Sequence, residues 1–349
     1  MNGPAWSVAP PRVFFIKEII EMPHKDQHKI LIIGACGQIG SELTMTLCTR
    51  YGHENVIASD KTQPDKKLSA SCQFELLDVT QRETVERVVK AHDVDIIYHM
   101  AAILSAKGER SPHLAWEVNV HGLYNVLEIA RERELYRLFC PSSMAVFGPE
   151  TPSDQTPQET VLRPTTMYGV TKVTGEMLCN YYFEKFGIDV RGVRYPGVIS
   201  SETLPGGGTT DYAVEIFYRA IELGHYTCFL KPDTVLPMMY MPDCIKATID
   251  LMEADVDSLQ HHADFNLAAM SFSPAELVKE IQKHLSDFTC EYEPDFRQAI
   301  ADSWPRTIDD SAARREWGWT PDYDLAAMTA DMVEKLSRRH AQGRLYKGR

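Results

Sequence analysis

The run Lys29-Ile-Leu-Ile-Ile-Gly34-Ala-Cys36-Gly37-Gln38-Ile39-Gly40 restricts the possible folds of this chain more than any other segment. An apolar stretch of strand character breaks into regularly spaced glycines and continues into the helix-like Ser41-Glu-Leu-Thr-Met-Thr-Leu. Strand, glycine turn and helix in that order are what a dinucleotide-binding fold requires. Glycine is needed at the tight turn, where the main chain nears a pyrophosphate, and where the helix packs on the strand; the helix N-terminus offers donors to the anion. An ordinary glycine-rich β-α turn would read the same way. Asp60 argues against that reading, because it ends a second apolar run, Asn55-Val-Ile-Ala-Ser-Asp60, 20 residues after Gly40. A carboxylate there accepts hydrogen bonds from an adenosine ribose and repels a 2′-phosphate, so NAD is expected rather than NADP, with Lys61 tempering the preference.

From Lys29 onward strand-like runs alternate with helical stretches: Lys29–Ile33, Asn55–Ser59, Phe74–Leu77, Asp95–His99, Leu138–Cys140 and Asp189–Tyr195. This alternation predicts an α/β fold, a Rossmann-type doubly wound parallel sheet, with ligands beyond the carboxyl ends of the strands. The glycine loop, Asp60, Asp78 with Val79, Ala101 with Ala102, and Ser142 with Ser143 each follow one of these runs. After Tyr195 the pattern is interrupted by Pro196, Gly197, Pro205 and Gly206-Gly-Gly208. The expected organisation is an extension over 1–28, a nucleotide-binding domain over 29–195, and a smaller α/β substrate-binding domain over 196–349 whose chain can cross back. The extension, with Arg12 and Lys17 and no acid before Glu18, reads equally as a short organellar targeting segment or as a disordered or surface-packed extension.

Downstream, Arg163-Pro-Thr-Thr-Met-Tyr168-Gly-Val-Thr-Lys172 sets a tyrosine and a lysine four residues apart, 25 residues after Ser143. If Met167–Lys185 is helical, that spacing puts phenol and ammonium on one face, a turn apart. An adjacent cation favours the phenolate, which makes Tyr168 the candidate proton acceptor and Lys172 its partner. An isolated Tyr-x-x-x-Lys carries little weight, since both residues are common on exposed helix faces; the glycine loop and serine pair upstream add to it.

With 349 residues, 44% of them hydrophobic, the chain can bury a sizeable core. A net charge of −13 without long acidic blocks argues against nucleic acid and anionic membranes as partners, and no apolar run reaches the length of a membrane span. The eight cysteines show no Cys-x-x-Cys, and the one His-x-x-x-His among the twelve histidines, His24-Lys-Asp-Gln-His28, has no cysteine next to it, so buried free thiols and no metal site are expected. Cys36 lies inside the glycine loop, as a small filler or as a thiol whose modification blocks the cofactor. His261-His262 reads as a solvated loop.

Gly34-x-x-Gly37-x-x-Gly40, His99-Met-Ala-Ala102, Val118-Asn119-Val120, Pro141-Ser-Ser143-Met-Ala-Val-Phe-Gly148, Tyr168-x-x-x-Lys172 and Arg194-Tyr-Pro-Gly197 resemble the extended short-chain dehydrogenase/reductase family from about Lys29 to Leu336. The resemblance implies that Ser143 orients a substrate hydroxyl, Tyr168 is the acid/base, and Lys172 holds the nicotinamide ribose. It implies cofactor contacts from Gly34, Gly37, Gln38, Ile39, Gly40, Asp60, Asp78, Val79, Ala101, Ala102, Asn119, Ser142, Tyr168, Lys172 and Tyr195. Phe147 stands where that family usually has tyrosine, with no catalytic consequence, and Asn119 is implied to be structural or part of a proton relay.

Four further segments resemble the branch of that family that oxidises the β-hydroxyl of L-threonine with NAD: Gly34–Leu43, Ala102–Glu109, Gly206-Gly-Gly-Thr-Thr210-Asp211-Tyr-Ala, and Ser303-Trp304-Pro305. The implied substrate site takes hydroxyls from Ser105, Ser143 and Thr210, a counter-charge for the ammonium from Asp211, a wall for the methyl from Trp304, and contacts from Tyr168 and Gly197. Thr210-Asp211 also reads as a helix N-cap, and Trp304 as packing between domains. The resemblance further implies a homodimer through the helices His113–Glu132 and Met167–Lys185, with a tetramer open, and a 2-amino-3-oxobutanoate CoA ligase as metabolic partner; a targeting segment at the N-terminus would mean the mitochondrial matrix, its absence the cytoplasm. The alternatives are a sugar-nucleotide epimerase of the same family and a non-catalytic NAD-binding sensor.

Overall fold

The computed structural model describes residues 28–204, 206 and 208–346. The targeting segment read in the N-terminal extension lies outside the described residues.

The first half winds strand and helix in alternation: β1 (Ile30–Ile33), α1 (Gln38–Tyr51), β2 (Val56–Asp60), α2 (Lys66–Ser69), β3 (Gln73–Leu76), α3 (Arg82–Ala91), β4 (Ile96–His99), α4 (Ser105–Arg110), α5 (Pro112–Trp116), α6 (Gly122–Glu132), β5 (Arg137–Phe139), β6 (Ser142–Ser143), α7 (Met167–Phe186), β7 (Val190–Arg191) and β8 (Val193–Tyr195). The second half adds β9 (Gly197–Ile199), α8 (Tyr212–Leu223), β10 (His225–Cys228), β11 (Leu236–Tyr240), α9 (Met241–Glu253), β12 (Phe265–Asn266), β13 (Met270–Phe272), α10 (Pro274–Gln282), β14 (Thr289–Tyr292), α11 (Arg297–Ala301), α12 (Ser311–Trp317) and α13 (Leu325–Ala341).

The central sheet is parallel, in the order β3-β2-β1-β4-β5-β7. All of β1 is buried, as a strand covered on both faces requires. Its side chains alternate: Ile30 and Ile32 join Leu43, Leu47, Ile249 and Trp319 on one face, while Leu31 and Ile33 join Val85, Val126, Leu127 and Tyr182 on the other. In register, Ile33 lies opposite Ser59 on β2 and His99 on β4, so the glycine loop, Asp60 and Met100–Ala102 emerge side by side.

The expected strand Asp189–Tyr195 is divided. Val190–Arg191 pairs with β5, whereas Val193–Tyr195 leaves that sheet and runs between β6 and β12. The break falls at Gly192, where a Cβ would stand 2.2 Å from the Cys140 carbonyl oxygen. The expected helix His113–Glu132 is also interrupted, by a π-helical turn over Glu117–His121 that joins α5 to α6.

The second half does not pack only on itself. α9 lies against α1, and Met239, Ile245, Phe265 and Trp319 share the apolar cluster of Ile30 and Ile32. A separate cluster gathers Tyr212, Phe217, Met238, Phe272, Trp304, Met328 and Leu336. His261-His262 departs from the expected solvated loop: His261 contacts Glu316 at 2.7 Å, and the His262 ring stacks on Phe183 with centroids 3.5 Å apart. Among the described residues, no helix is long and apolar enough to cross a membrane.

Candidate active site

The glycine loop takes its shape from close contact with β4. Gly34 has φ +94°, and a Cβ on it would lie 2.5 Å from the Ala101 nitrogen, so the loop can press against Met100 and Ala101 only without a side chain. α1 then begins at Gln38 with Gly37 as its N-cap, and no side chain caps the first turn, which holds Ile39 and Gly40. Its leading N–H groups are therefore available to an anion at the strand ends. The Asp60 carboxylate accepts from the Cys36 N–H at 3.1 Å and from the Thr62 N–H and hydroxyl, each at 3.0 Å, which fixes it beside the loop. The Cys36 thiol is pushed up to about 11 by burial and then by the Asp60 charge, so at neutral pH it is a poor nucleophile. Gln38 reaches across to the Val198 carbonyl at 3.5 Å. Asp78 accepts from the Thr80 N–H at 3.0 Å and its hydroxyl at 2.8 Å, and Val79 packs against Gly122 on α6.

α7, which carries Tyr168 and Lys172, packs on β6, which carries Ser143, beside these strand ends. α7 opens with Thr166 as N-cap, its hydroxyl accepting from Gly169 at 3.1 Å. A Cβ on Gly169 would stand 2.2 Å from the Ala145 carbonyl oxygen, so this first turn, carrying Tyr168, is pressed onto the turn that follows Ser143. The Ser143 hydroxyl accepts from the Ala145 N–H at 3.2 Å. Lys172 donates to the Pro141 carbonyl at 2.7 Å, with its ammonium 5.6 Å from the centre of the Tyr168 ring. All three residues are half-buried, while Ser142 and Glu176 next to them are buried.

Three of the expected cofactor contacts have side chains already engaged within the protein. The Ser142 hydroxyl donates to Glu176 in the interior, which leaves its main chain for a ligand. The Tyr195 ring packs against Phe139 in the core and its hydroxyl pairs with Thr248; only its main chain, in register with Ser143, borders the site. Asn119 sits in the π-helical turn, a frequent device at functional sites. Its amide braces the wall by accepting from the Ile103 N–H at 2.7 Å and donating to the Ile103 carbonyl and the Thr171 hydroxyl, each at 3.0 Å.

Beyond Tyr168 lie the residues expected to meet substrate. Ser105 is buried at the start of α4, which packs on α7. Gly197 lies against the Thr210 side chain. Asp211 stands at the N-cap of α8 but does not cap it; its carboxylate turns back to accept from the Gly208 N–H at 2.7 Å. Trp304 is 9% exposed in the cluster against which Tyr168 and Leu204 also pack.

Two buried groups were missed in the sequence. Glu176, one further turn along the Tyr168-Lys172 face, receives two hydrogen bonds from Arg194, at 2.9 and 2.8 Å. Burial pushes the Glu176 carboxyl up, against the pull of Arg194 and Ser142. Arg194 also donates to the Gln158 carbonyl at 3.0 Å and to Asn266 at 3.1 Å, so both members of the pair are held by several hydrogen bonds. His99, at the end of β4, is held down at about 3 by burial and then by the Lys172 charge, which keeps its ring neutral. The spacing 168, 172, 176 was legible as one helix face; that His99 is sealed in was not.

Residues 30–268 match the NAD dependent epimerase/dehydratase family. An "uncharacterized epimerase/dehydratase" of Staphylococcus haemolyticus is 51% identical over 89% of this chain and 98% of that protein. Among solved structures, the GalE-like L-threonine dehydrogenase from Cupriavidus necator in its holo form is 52% identical with TM-score 0.87, covering 88% of this chain and 99% of that one. The L-threonine dehydrogenase of Clostridium difficile is 51% identical with TM-score 0.88, covering 89% and 98%. A UDP-glucose 4-epimerase from Thermotoga maritima shares the fold, with TM-score 0.79 at 20% identity. The glycine loop, the serine-tyrosine-lysine group and this sequence likeness agree: the chain belongs to the NAD dependent epimerase/dehydratase family.

Proposed function

We propose that this protein oxidises the β-hydroxyl of L-threonine to 2-amino-3-oxobutanoate, with NAD as hydride acceptor. The observation that carries the reading is the Lys172 ammonium held between the Pro141 carbonyl and the Tyr168 ring on a helix packed against the strand of Ser143, in a chain more than half identical to solved L-threonine dehydrogenases. NAD, when bound, supplies the nicotinamide that accepts the C3 hydride. The pyrophosphate is held by the first-turn N–H groups of α1, the adenosine ribose by Asp60, and the nicotinamide ribose by Lys172. Ser143 orients the substrate hydroxyl and Tyr168 takes its proton, with the Lys172 ammonium stabilising the phenolate. General-base help contributes about 10²–10⁴-fold, so alignment of C3 supplies much of the remainder.

Ser105 and Thr210 supply hydroxyls to the substrate, Asp211 faces its ammonium from a turn already locked by Gly208, and Trp304 bounds the methyl. Met144-Ala145 after Ser143 lacks the acidic pair that sugar-nucleotide dehydratases of the family carry at that place. The product is a β-keto acid that loses carbon dioxide readily, so a ligase that captures it with coenzyme A is the fitting metabolic partner. The first 28 residues would direct the enzyme to the mitochondrial matrix. Self-association is supported by an apolar stripe on α7, Val170, Met177 and Tyr181, flanked by Phe186 and by Trp116 and Tyr124 on the neighbouring helices, all exposed.

The test follows NADH absorbance with NAD and L-threonine and, in a second assay, the redox-neutral conversion of UDP-glucose to UDP-galactose, read by separating the two sugars. Threonine-dependent reduction is expected. Turnover of UDP-glucose without any from threonine transfers the chain to the epimerase alternative and removes the roles given to Thr210, Asp211 and Trp304.

A further inference from the structure

Beneath the strand ends lies a cavity of about 20 Å³, bounded by His99 from β4, Cys140 after β5, Ser142, and Lys172, Glu176 and Cys179 from α7. It has room for one water. His99 is 4% exposed, and its Nδ1 has no hydrogen-bond partner among the described residues. A buried polar atom left in that state costs about 1–3 kcal/mol, so a ring nitrogen facing a water-sized space points to an occupant. On the same wall the Lys172 ammonium, with three protons, gives one to the Pro141 carbonyl at 2.7 Å. Ser142 and Glu176 are engaged with each other and with Arg194 and compete little for the space.

We propose that the cavity holds one water that accepts from Lys172 and donates to His99 Nδ1, and that His99 is a positioning residue holding the ammonium toward Tyr168. This rests on the reading of Tyr168 and Lys172 as the proton-transfer pair. A neutral imidazole suits the task for an electrostatic reason. A carboxylate at this place would draw the ammonium inward and cancel the field that favours the phenolate, whereas an uncharged acceptor fixes its direction and leaves its charge intact. The other titratable groups around Lys172 are Tyr168, Glu176 and Cys179 on α7 and Cys140 after β5. Glu176 is compensated by Arg194, which has Asp264 3.9 Å away.

The experiment compares kcat, KM and their pH dependence for threonine oxidation in wild type, His99→Leu, His99→Asn and Cys179→Met. Leucine keeps the volume and removes the acceptor. The rise of kcat/KM with pH should move upward by about one unit, a tenfold loss on the acidic side, with KM for threonine little changed. Asparagine, whose amide oxygen falls near the place of Nδ1, should restore most of the loss. Methionine at 179 fills the space from the opposite wall and should reproduce the leucine shift with His99 intact, which keeps the test open if His99→Leu does not fold. Wild-type pH dependence in both His99→Leu and Cys179→Met overturns the proposal, as does His99→Asn no better than His99→Leu. A readout that needs no substrate is the ¹⁵N shift of His99 in the NAD-loaded enzyme, where Nδ1 should be unprotonated and hydrogen-bonded. A protonated Nδ1 refutes the bridge, while absence of threonine turnover in the wild type refutes only the substrate reading.

Discussion

Glu176 shows what a single residue does for this site. Its carboxylate joins α7, which carries Tyr168 and Lys172, to the buried Arg194 on β8 and to Ser142, next to Ser143. Glu176→Gln leaves the Arg194 charge without its partner and should cost about 3–5 kcal/mol, read from the urea midpoint. Replacing both residues by methionine should recover much of that stability without recovering activity, because the apolar pair no longer fixes the serine turn. His99 makes the second residue-level prediction. Folded, it stays neutral down to about 3; unfolded, it takes a proton near 6.5. Between those values the unfolded state binds the extra proton, so the contribution of His99 to stability is complete above about pH 6.5 and declines on acidification by at most about 1.4 kcal/mol per pH unit. Unfolding free energies measured from pH 8 to 4 should therefore fall less steeply in His99→Asn than in wild type.

At the scale of elements, the strand ends were the most legible part, because β1, β2 and β4 are short β-branched runs each followed by a turn signal. What escaped notice were the interruptions. Asp189–Tyr195 reads as one strand-like run, and its isolated glycine does not by itself say that the chain changes sheets there; the cause is the Cys140 carbonyl just beyond β5. Likewise the π-helical turn at Glu117–His121 meets the demand of Asn119 for the Ile103 main chain, a contact with no local periodicity. Gly34 was legible as a glycine, and its φ of +94° and the nearness of Ala101 explain why it must be one. Gly34→Ala should lower the thermal midpoint and weaken NAD binding together, seen by calorimetry and titration, since strain at such a position costs of order 1–3 kcal/mol before any clash is relieved. A lower midpoint with unaltered NAD affinity would separate the loop from the cofactor.

For the molecule as a whole, composition and alternation led to the nucleotide-binding half. They allowed the chain to cross back but did not say that Met239, Ile245, Phe265 and Trp319 are the residues that do so, because packing on a distant sheet leaves no local periodicity. The Tyr168-x-x-x-Lys172 spacing was legible because it is local to α7, whereas the Glu176–Arg194 pair depends on how β8 and α7 are brought together. The exposed stripe of Val170, Met177 and Tyr181 makes a prediction at this scale. Tyr181→Glu should convert a sedimenting dimer to monomer while NAD binding persists, and a wild type that sediments as a monomer at all concentrations would remove the dimer. The central claim is hydride transfer from threonine with Tyr168 as base. L-Threonine deuterated at C3, incubated with NAD and the purified protein, should give NADH carrying the label at C4, and Tyr168→Phe should slow its formation by about 10²-fold or more. Unlabelled NADH, or a Tyr168→Phe variant that transfers the label at the wild-type rate, would contradict the account.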